Sequence, residues 1–123
     1  MRVRCTRIIH PQADLPVAEY DGIRVGGIYT VLEIEVLADS EVQIRVLGED
    51  SEEPGLFWDV ADFDVLDAGM PACWALVLEN GGLSLAPALW QRPGFWNDYY
   101  RRDPRALADF ETVKRELLDD TAL

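Results

Sequence analysis

Residues 59–67 carry four aspartates in the order D-x-x-D-x-D-x-x-D. Grouped carboxylates are the hard oxygen ligands that Ca²⁺ and Mg²⁺ take, and a pair of them can act as general acid and base. The segment lacks the alternating ligands, central glycine and terminal glutamate of an EF-hand loop. A strand would place Asp62 and Asp64 on one face, opposite Phe63 and Val65. We therefore predict a solvated strand edge, with no metal site and no cofactor.

The other residue types that carry catalysis stand in contexts that do not suit it. His10 is the only histidine, so a multi-histidine metal site cannot form. No serine stands in a nucleophile elbow, and no glycine pair belongs to a phosphate-binding loop. We therefore expect a non-enzymatic protein. The alternative is a small carboxylate- or metal-dependent hydrolase that uses Asp59, Asp62, Asp64 and Glu33.

The aromatic segment Leu89–Tyr100 offers better candidates for a binding role. It contains five of the twelve aromatic residues of the chain, and four arginines lie in it or just after it. Tryptophan, tyrosine and arginine dominate the energetics of protein interfaces. The candidate binding residues, together with two of the aspartates, are Trp96, Tyr99, Tyr100, Arg101, Arg102, Asp62 and Asp64.

The same segment has a competing interpretation, as a clamp that joins a helical tail to a sheet. Proteins seldom expose large apolar patches, and each ring can bury about 150–250 Å². Phe95 pairs with Tyr99, and Trp96 with Tyr100, at the i,i+4 spacing of a short helix. We favour the clamp, which predicts that Trp90, Phe95 and Trp96 are largely buried. At least one of the two tyrosines should keep its hydroxyl in water. For the arginines the alternative to recognition is pairing with the excess acid of the chain.

Two hairpins are predicted in the first two thirds of the chain. Ile28–Val36 and Val42–Val46 both alternate apolar and polar residues. The register that matches their apolar faces pairs Val36 with Val42, Ile34 with Ile44, Leu32 with Val46, and Glu33 with Arg45. We interpret the Glu33–Arg45 pair as a register marker rather than a site.

The second hairpin is centred on Asn80-Gly81, a dipeptide suited to a turn in which both residues have positive φ. This turn pairs Glu79 with Gly82, Leu78 with Leu83, and Leu76 with Leu85. Further strands are predicted at the N-terminus, with Val3 and Cys5 on the buried face, and over about Phe63–Leu66. The acidic segment Gly48–Gly55 is predicted as a solvated turn.

After Pro87 the spacing of apolar residues changes from that of a strand to that of a helix. Asp103 is a suitable helix cap, with Pro104 in the first helical position, and apolar residues then follow at three- and four-residue steps as far as Leu118. We therefore predict an α+β protein, in which a small antiparallel SH3-like or partly open β-barrel is followed by C-terminal helices. We expect residues 1–123 to form a single domain, strand-rich over about 1–86 and helical over about 87–123.

Charge restricts the partners of the chain. Twenty-three acidic residues against eleven Lys and Arg give a formal net charge of −12. That charge disfavours nucleic acid and anionic membranes. It either favours a basic protein partner or only keeps the protein soluble. No stretch is long and apolar enough for a membrane span, and no signal peptide is evident. We expect a cytoplasmic protein with Cys5 and Cys73 as thiols, although a single disulfide between them remains an alternative.

Four motifs in order distinguish the chain: G-x-Y-x-V-L from Gly27, L-F at Leu56, M-P-x-x-W from Met70, and W-x-x-P-G-F-W-x-x-Y-Y-x-x-D-P-x-A over Trp90–Ala106. The pattern, which covers about Gly26–Phe110, resembles small bacterial proteins of immunity type. Such proteins accompany secreted toxins in competing bacteria, so the resemblance implies a protein that neutralises its toxin by binding it, and it carries over no catalytic residues. A basic nuclease toxin would complement the acidity of the chain.

Overall fold

Strand β4 (Ile28–Val36) organises the sheet in this computed structural model, which describes residues 1–48 and 54–121, and side chains as far as residue 119. It pairs antiparallel with β5 (Val42–Leu47), with β1 (Arg2–Cys5) at its start and with β9 (Gly82–Pro87) at its end. Three partners are possible because β1 and β9 pair with different parts of this nine-residue strand, residues 28–30 and 34–36.

The strand order is β6–β5–β4–β1–β7, with β6 at Pro54–Asp59 and β7 at Phe63–Asp67. Strand β8 (Trp74–Glu79) joins this sheet through β9, and the short strands β2 (Glu19–Tyr20) and β3 (Ile23–Arg24) form a separate pair. Every pairing is antiparallel. The sheet is open, and helices follow it, so the prediction of an α+β fold is confirmed.

The first hairpin keeps most of its predicted register. Val36 faces Val42, Ile34 faces Ile44, and Glu33 faces Arg45, as expected. The predicted pairing of Leu32 with Val46 is wrong, because Val31 takes that place and Leu32 is the extra residue of a β-bulge. The bulge breaks the alternation, so Val31, Leu32 and Glu33 are all buried.

The second hairpin follows its prediction throughout, pairing Glu79 with Gly82, Leu78 with Leu83, and Leu76 with Leu85. Asn80 and Gly81 have φ of 51° and 77°, as a two-residue turn of this kind requires. A Cβ atom at Gly82 would collide with the carbonyl oxygen of Val36. Glycine therefore lets β9 approach β4 closely enough to pair with it.

The middle of the chain departs from the prediction in two ways. Residues 49–53 of the predicted solvated turn lie outside the described residues, but Pro54 and Gly55 begin β6, a strand that was not predicted. Strand β7 begins at Phe63, as expected. The 3₁₀ turn Val60–Asp62 precedes it, so Asp62 does not share a strand face with Asp64.

The C-terminal region consists of a 3₁₀ turn at Ala88–Gln91, helix α1 (Phe95–Tyr100) and helix α2 (Pro104–Thr121). The predicted cap is confirmed, since Asp103 Oδ2 accepts a hydrogen bond from the Ala106 amide at 3.0 Å. The buried face of α2 carries Ala106, Phe110, Val113 and Leu117. Among the described residues, no helix has the length and apolar character needed to cross a membrane.

The aromatic segment packs α1 and α2 onto the sheet. The rings of Trp90 and Tyr99 lie 5.1 and 4.9 Å from that of Phe110 on α2, centroid to centroid. Trp90, Phe95 and Tyr99 are buried, whereas Tyr100 is 60% exposed. The clamp is therefore confirmed with one correction: Trp96 is only half-buried, and it lines a cavity.

The two cysteines are thiols and do not form a disulfide. Cys5 is buried on β1, where burial raises the pKa of its thiol above the usual range. Cys73 is only partly buried, just before β8. The prediction of a buried thiol is therefore confirmed for Cys5. Cys73 is a thiol, as predicted, but it is not fully buried in the core.

Candidate functional site

A cavity of about 380 Å³ lies between the sheet and the segment that runs from Trp90 to Asn97. The strands contribute three glutamates, Glu33, Glu35 and Glu79, to its lining. The facing wall is formed by the 3₁₀ turn, the Pro93-Gly94 corner and the start of α1. The cavity is thus acidic on the sheet side and aromatic on the other.

Strand pairing explains why these residues meet. Glu33 and Glu35 are two residues apart on β4 and therefore point to the same face. Across the strands, Phe57 faces Arg45, and Arg45 faces Glu33, which gives one row over β6, β5 and β4. A second row runs from Glu35 through Ser84 to Val77, over β4, β9 and β8. All six residues line the cavity.

Arg45 lines the cavity between two aromatic rings. Its guanidinium carbon lies 4.4 Å from the ring centroid of Phe57 and 4.4 Å from that of Trp96, so two aromatic faces enclose the cation. Arg45 Nε is 3.3 Å from Glu33 Oε1, within ion-pair distance. Although the two atoms are close, Arg45 Nε has no hydrogen-bond partner, so its N–H is not aligned with the Glu33 carboxylate. The pair is therefore a close contact of charges with poor directional bonding.

Glu33 is the most perturbed acid in this cavity. Only 8% of its side chain is exposed. Burial raises the pKa of Glu33 to about 7, and the neighbouring Glu35 adds to the rise, while Arg45 opposes it. The cost of removing the carboxylate from water exceeds the attraction of the misaligned guanidinium. Burial therefore favours the neutral form of the Glu33 carboxyl group in spite of the nearby guanidinium.

Buried N–H groups without an acceptor are concentrated around the same cavity. Within the described ranges, six buried side-chain nitrogens have no partner, and four of them belong to residues that line it. These four are Arg45 Nε and Nη1, Trp90 Nε1 and Arg92 Nε. A buried donor left unpaired costs about 1–3 kcal/mol. These four donors are closed off from solvent, although the residues that carry them line the cavity.

The structure divides the binding residues that were predicted from the aromatic segment. Trp96 lines the cavity and stacks on Arg45. Tyr99 lies in the core, so its predicted place on a recognition surface is wrong. Tyr100, Arg101 and Arg102 are exposed at the end of α1 and just beyond it. Tyr100 stays near Trp96, at 6.1 Å between ring centroids, but outside the cavity lining.

The two predicted aspartates belong to the β1–β7 side of the sheet. Asp62 is buried, and its Oδ1 accepts a hydrogen bond from Arg7 Nε at 2.8 Å. The prediction of a solvated residue is therefore wrong for Asp62, because it anchors the segment after β1. Asp64 is exposed on β7 opposite Arg4, as predicted. Across residues 1–48 and 54–121, no group of three His, Cys, Asp or Glu residues is arranged to hold a metal ion.

The sequence predicted the Glu33–Arg45 pair correctly, but we interpreted it as a register marker and named Glu33 only in the hydrolase alternative. Glu35 and Glu79 were not singled out. A signal was present. Tyr29 and Val31 stand on the same predicted face of β4 as the two glutamates, so neither face of the strand is purely polar. Strands with apolar residues on both faces are typically covered on both sides.

No protein-family model, no curated protein and no solved structure matches this chain.

Proposed function

We propose that this chain is a non-enzymatic binding module that neutralises a basic protein partner, in the manner of small bacterial immunity proteins. The observation that carries the proposal is the cavity, in which Glu33, Glu35 and Glu79 lie opposite the aromatic wall. Carboxylates attract a cation, and ring faces stabilise it further. A lysine or arginine at the surface of a partner has both chemical features that this cavity selects.

The charge of the whole chain supports a basic partner. The formal net charge is −12. Three glutamates and Arg45 line the cavity, while Arg92 Nη1 pairs with Asp98 Oδ2 at 3.0 Å and so contributes little net charge. An excess of negative potential accelerates association with a positive surface and disfavours nucleic acid.

The proposal includes two finer points. The antiparallel strands would correspond to an SH3-like arrangement that remains open, with the helices packed on it. The protein would act in the cytoplasm of the cell that makes the toxin, where thiols such as Cys5 stay reduced.

Co-expression with the product of the adjacent reading frame tests the proposal. The purified partner should bind with a Kd below the micromolar range at low salt. Replacing Glu35 and Glu79 together with glutamine should weaken binding at least tenfold, because two carboxylates at the cavity are lost. Glu41→Gln changes the charge at an exposed turn away from the cavity and serves as the control. A basic neighbour that shows no binding at micromolar concentration would refute the proposal.

A second candidate function rests on Glu33. A carboxyl group with a pKa near 7 in a cavity is suited to general acid–base catalysis, and Glu35 lies beside it. A carboxylate-dependent hydrolase would use this pair rather than Asp59, Asp62 and Asp64, which do not line the cavity. Turnover of an ester, phosphoester or glycoside that Glu33→Gln abolishes would establish an enzyme. Turnover that survives this substitution would exclude Glu33 as the catalytic group.

A further inference from the structure

We infer that the outer edge of β8 binds an extended segment of the basic partner, in which apolar and basic residues alternate, as one more antiparallel strand of the sheet. This inference rests on the proposed function, because it names the part of the partner that is bound and the surface that binds it.

Strand β8 lies at an edge of the sheet. Across the part of the chain that the structure describes, it pairs only with β9. In a hairpin with a two-residue turn, the residues that flank the turn exchange both backbone hydrogen bonds, and such pairs alternate with pairs that exchange none. Glu79 and Gly82 flank the turn, so Leu78 and Leu76 belong to pairs that exchange none. Their N–H and C=O groups therefore point outward, away from β9.

The amino-acid sequence of β8 leaves this edge open to another strand. Edge strands are usually protected against further pairing by charged residues, proline or a covering segment. On the edge strand β6, the Leu56 amide already donates to Asp21 Oδ2 at 3.1 Å, and the edge strand β7 carries Asp64 and Asp67. Strand β8 reads W-A-L-V-L-E, with no proline and no charge before Glu79. Of these three edges, that of β8 is the least protected.

One face of β8 supplies the apolar surface that an added strand can bury. Leu76 and Leu78 are 56% and 72% exposed, and they point to the same face because they are two residues apart. Opposite them on β9, Leu85 and Leu83 are only half-buried. Apolar residues placed beside Leu76 and Leu78 would therefore remove apolar surface from water, which drives association.

The other face of β8 determines the charge of the segment. Val77 and Glu79 point to this face and line the acidic cavity. Glu79 is exposed, and no Lys, Arg or His in residues 1–48 or 54–119 makes an ion pair with it. Opposite charges that face each other across two strands attract, so a lysine or arginine suits the position opposite Glu79.

A second copy of the chain does not meet this requirement. Strand β8 contains no Lys or Arg, so the pairing of two β8 edges would bring no cation to Glu79. Each copy also has a formal net charge of −12, and like charges repel. The charges thus favour a basic segment over self-association.

A short peptide of the inferred pattern provides a direct test by ¹H–¹⁵N NMR. The probe is acetyl-Lys-Val-Thr-Val-Lys-amide, added to the full chain at millimolar concentration. We expect saturable downfield shifts of the Leu76 and Leu78 amide protons, because each gains an acceptor, together with slower exchange of both protons with solvent. The amide signals of the edge strand β7 should stay in place.

Methylation of the peptide backbone tests whether the peptide binds as an antiparallel strand. In that arrangement the two valine N–H groups donate to the carbonyls of Leu76 and Leu78, whereas the threonine N–H points away from β8. N-methylation of both valines should therefore weaken binding at least about tenfold, because two hydrogen bonds are lost. N-methylation of the threonine should leave the affinity nearly unchanged. Equal weakening by the two modifications would overturn the inference.

A second peptide and three variants test the charge and the apolar contact. The peptide with glutamate in place of both lysines should not shift the Leu76 and Leu78 signals. For the lysine peptide, Glu79→Gln should weaken binding about two- to fivefold, and Leu78→Thr about fivefold. Val65→Thr on β7 replaces a residue that is 54% exposed at another edge, so this control should not change the affinity. Equal affinity for the glutamate peptide would overturn the inference.

The outcomes also separate this inference from the proposed function. If the basic protein partner binds without shifting the Leu76 and Leu78 amide signals, the inference fails and the binding role stands. If the lysine peptide binds as expected and the neighbouring product does not, the edge of β8 stands as a binding surface and the proposed partner is wrong. A dimer of the free chain in sedimentation, with both leucine amides protected from exchange, would show that a second copy occupies the edge and would overturn the inference.

Discussion

The carboxyl group of Glu33 illustrates how burial changes the energetics of a cross-strand ion pair. On an exposed sheet face, the pair with Arg45 would add about 0.2–1 kcal/mol and keep both residues charged. Here the side chains are 8% and 12% exposed, and the 3.3 Å contact is not an aligned hydrogen bond. Desolvation dominates, so the pKa of Glu33 rises to about 7 in spite of the nearby cation.

Glu33 therefore makes stability depend on pH in a defined window. Its pKa is 4.5 without the protein environment and about 7 in the folded chain, so the folded state binds more protons between these values. The free energy of unfolding should fall by at most about 3 kcal/mol as the pH rises from below 4.5 through 7. Denaturant titrations at pH 4.5, 6 and 8 would measure this fall.

Glu33→Gln provides the comparison, because glutamine cannot titrate. The difference in unfolding free energy between wild type and variant should change across pH 4.5–7 and be constant above pH 8, where Glu33 is charged in both states. A difference that is constant over the whole range would show that Glu33 has an ordinary pKa. Residues that titrate in both proteins cancel in this comparison.

At the scale of elements, the clamp segment 90–100 contains two tryptophans with different tasks. Trp90 packs among the rings of Phe95, Trp96 and Phe110 and is buried. Trp90→Ala should cost about 3–5 kcal/mol in the free energy of unfolding, the usual range for a buried aromatic residue. Trp96→Ala should cost less than about 3 kcal/mol, because that ring is half-buried.

The two variants should also differ in binding. Trp96→Ala removes one of the two rings that enclose Arg45, so the partner should bind more weakly although the chain stays folded. Chemical denaturation and a binding titration on the same samples would show both effects. If Trp96→Ala destabilised the chain as much as Trp90→Ala and left binding intact, Trp96 would be a core residue rather than part of the site.

The junction of β9 with β4 depends on the absence of a side chain at Gly82. The backbone oxygen of Val36 occupies the space that a Cβ atom would need, and backbone cannot yield as a flexible side chain does. Gly82→Ala should therefore cost about 3 kcal/mol or more, measured by denaturant unfolding. Gly26 has a φ of 87° with open space around it, so Gly26→Ala should cost only about 1–2 kcal/mol. Equal costs would mean that β9 moves away from β4 freely.

Elements that rest on local signals were predictable from the sequence, whereas their assembly was not. Asn80-Gly81 fixes its hairpin register by itself, and Asp103-Pro104 fixes the start of a helix. The bulge at Leu32 was not predictable, because an extra residue among apolar neighbours leaves no local trace. The cavity required five strands and the clamp segment to meet, and its residues are far apart in the chain.

At the scale of the whole molecule, acidity has two opposing consequences. Like charges repel within the folded chain, which has a formal net charge of −12. The same field attracts a basic partner from a distance and aligns it before contact. The same negative charges therefore lower the stability of the free chain and accelerate its association with a basic partner.

Salt should separate these two consequences. Raising NaCl from 0.01 to 0.1 M shortens the Debye length from about 30 to about 10 Å, which screens charges across the molecule more than those in contact. The melting temperature of the free chain should rise, because self-repulsion weakens. The association rate with a basic partner should fall about tenfold or more over the same range, measured by stopped-flow fluorescence of the tryptophans. The dissociation rate should change much less, because contacts inside the cavity are short. An association rate that does not respond to salt would show that the acidity does not guide the partner, and that it serves solubility alone.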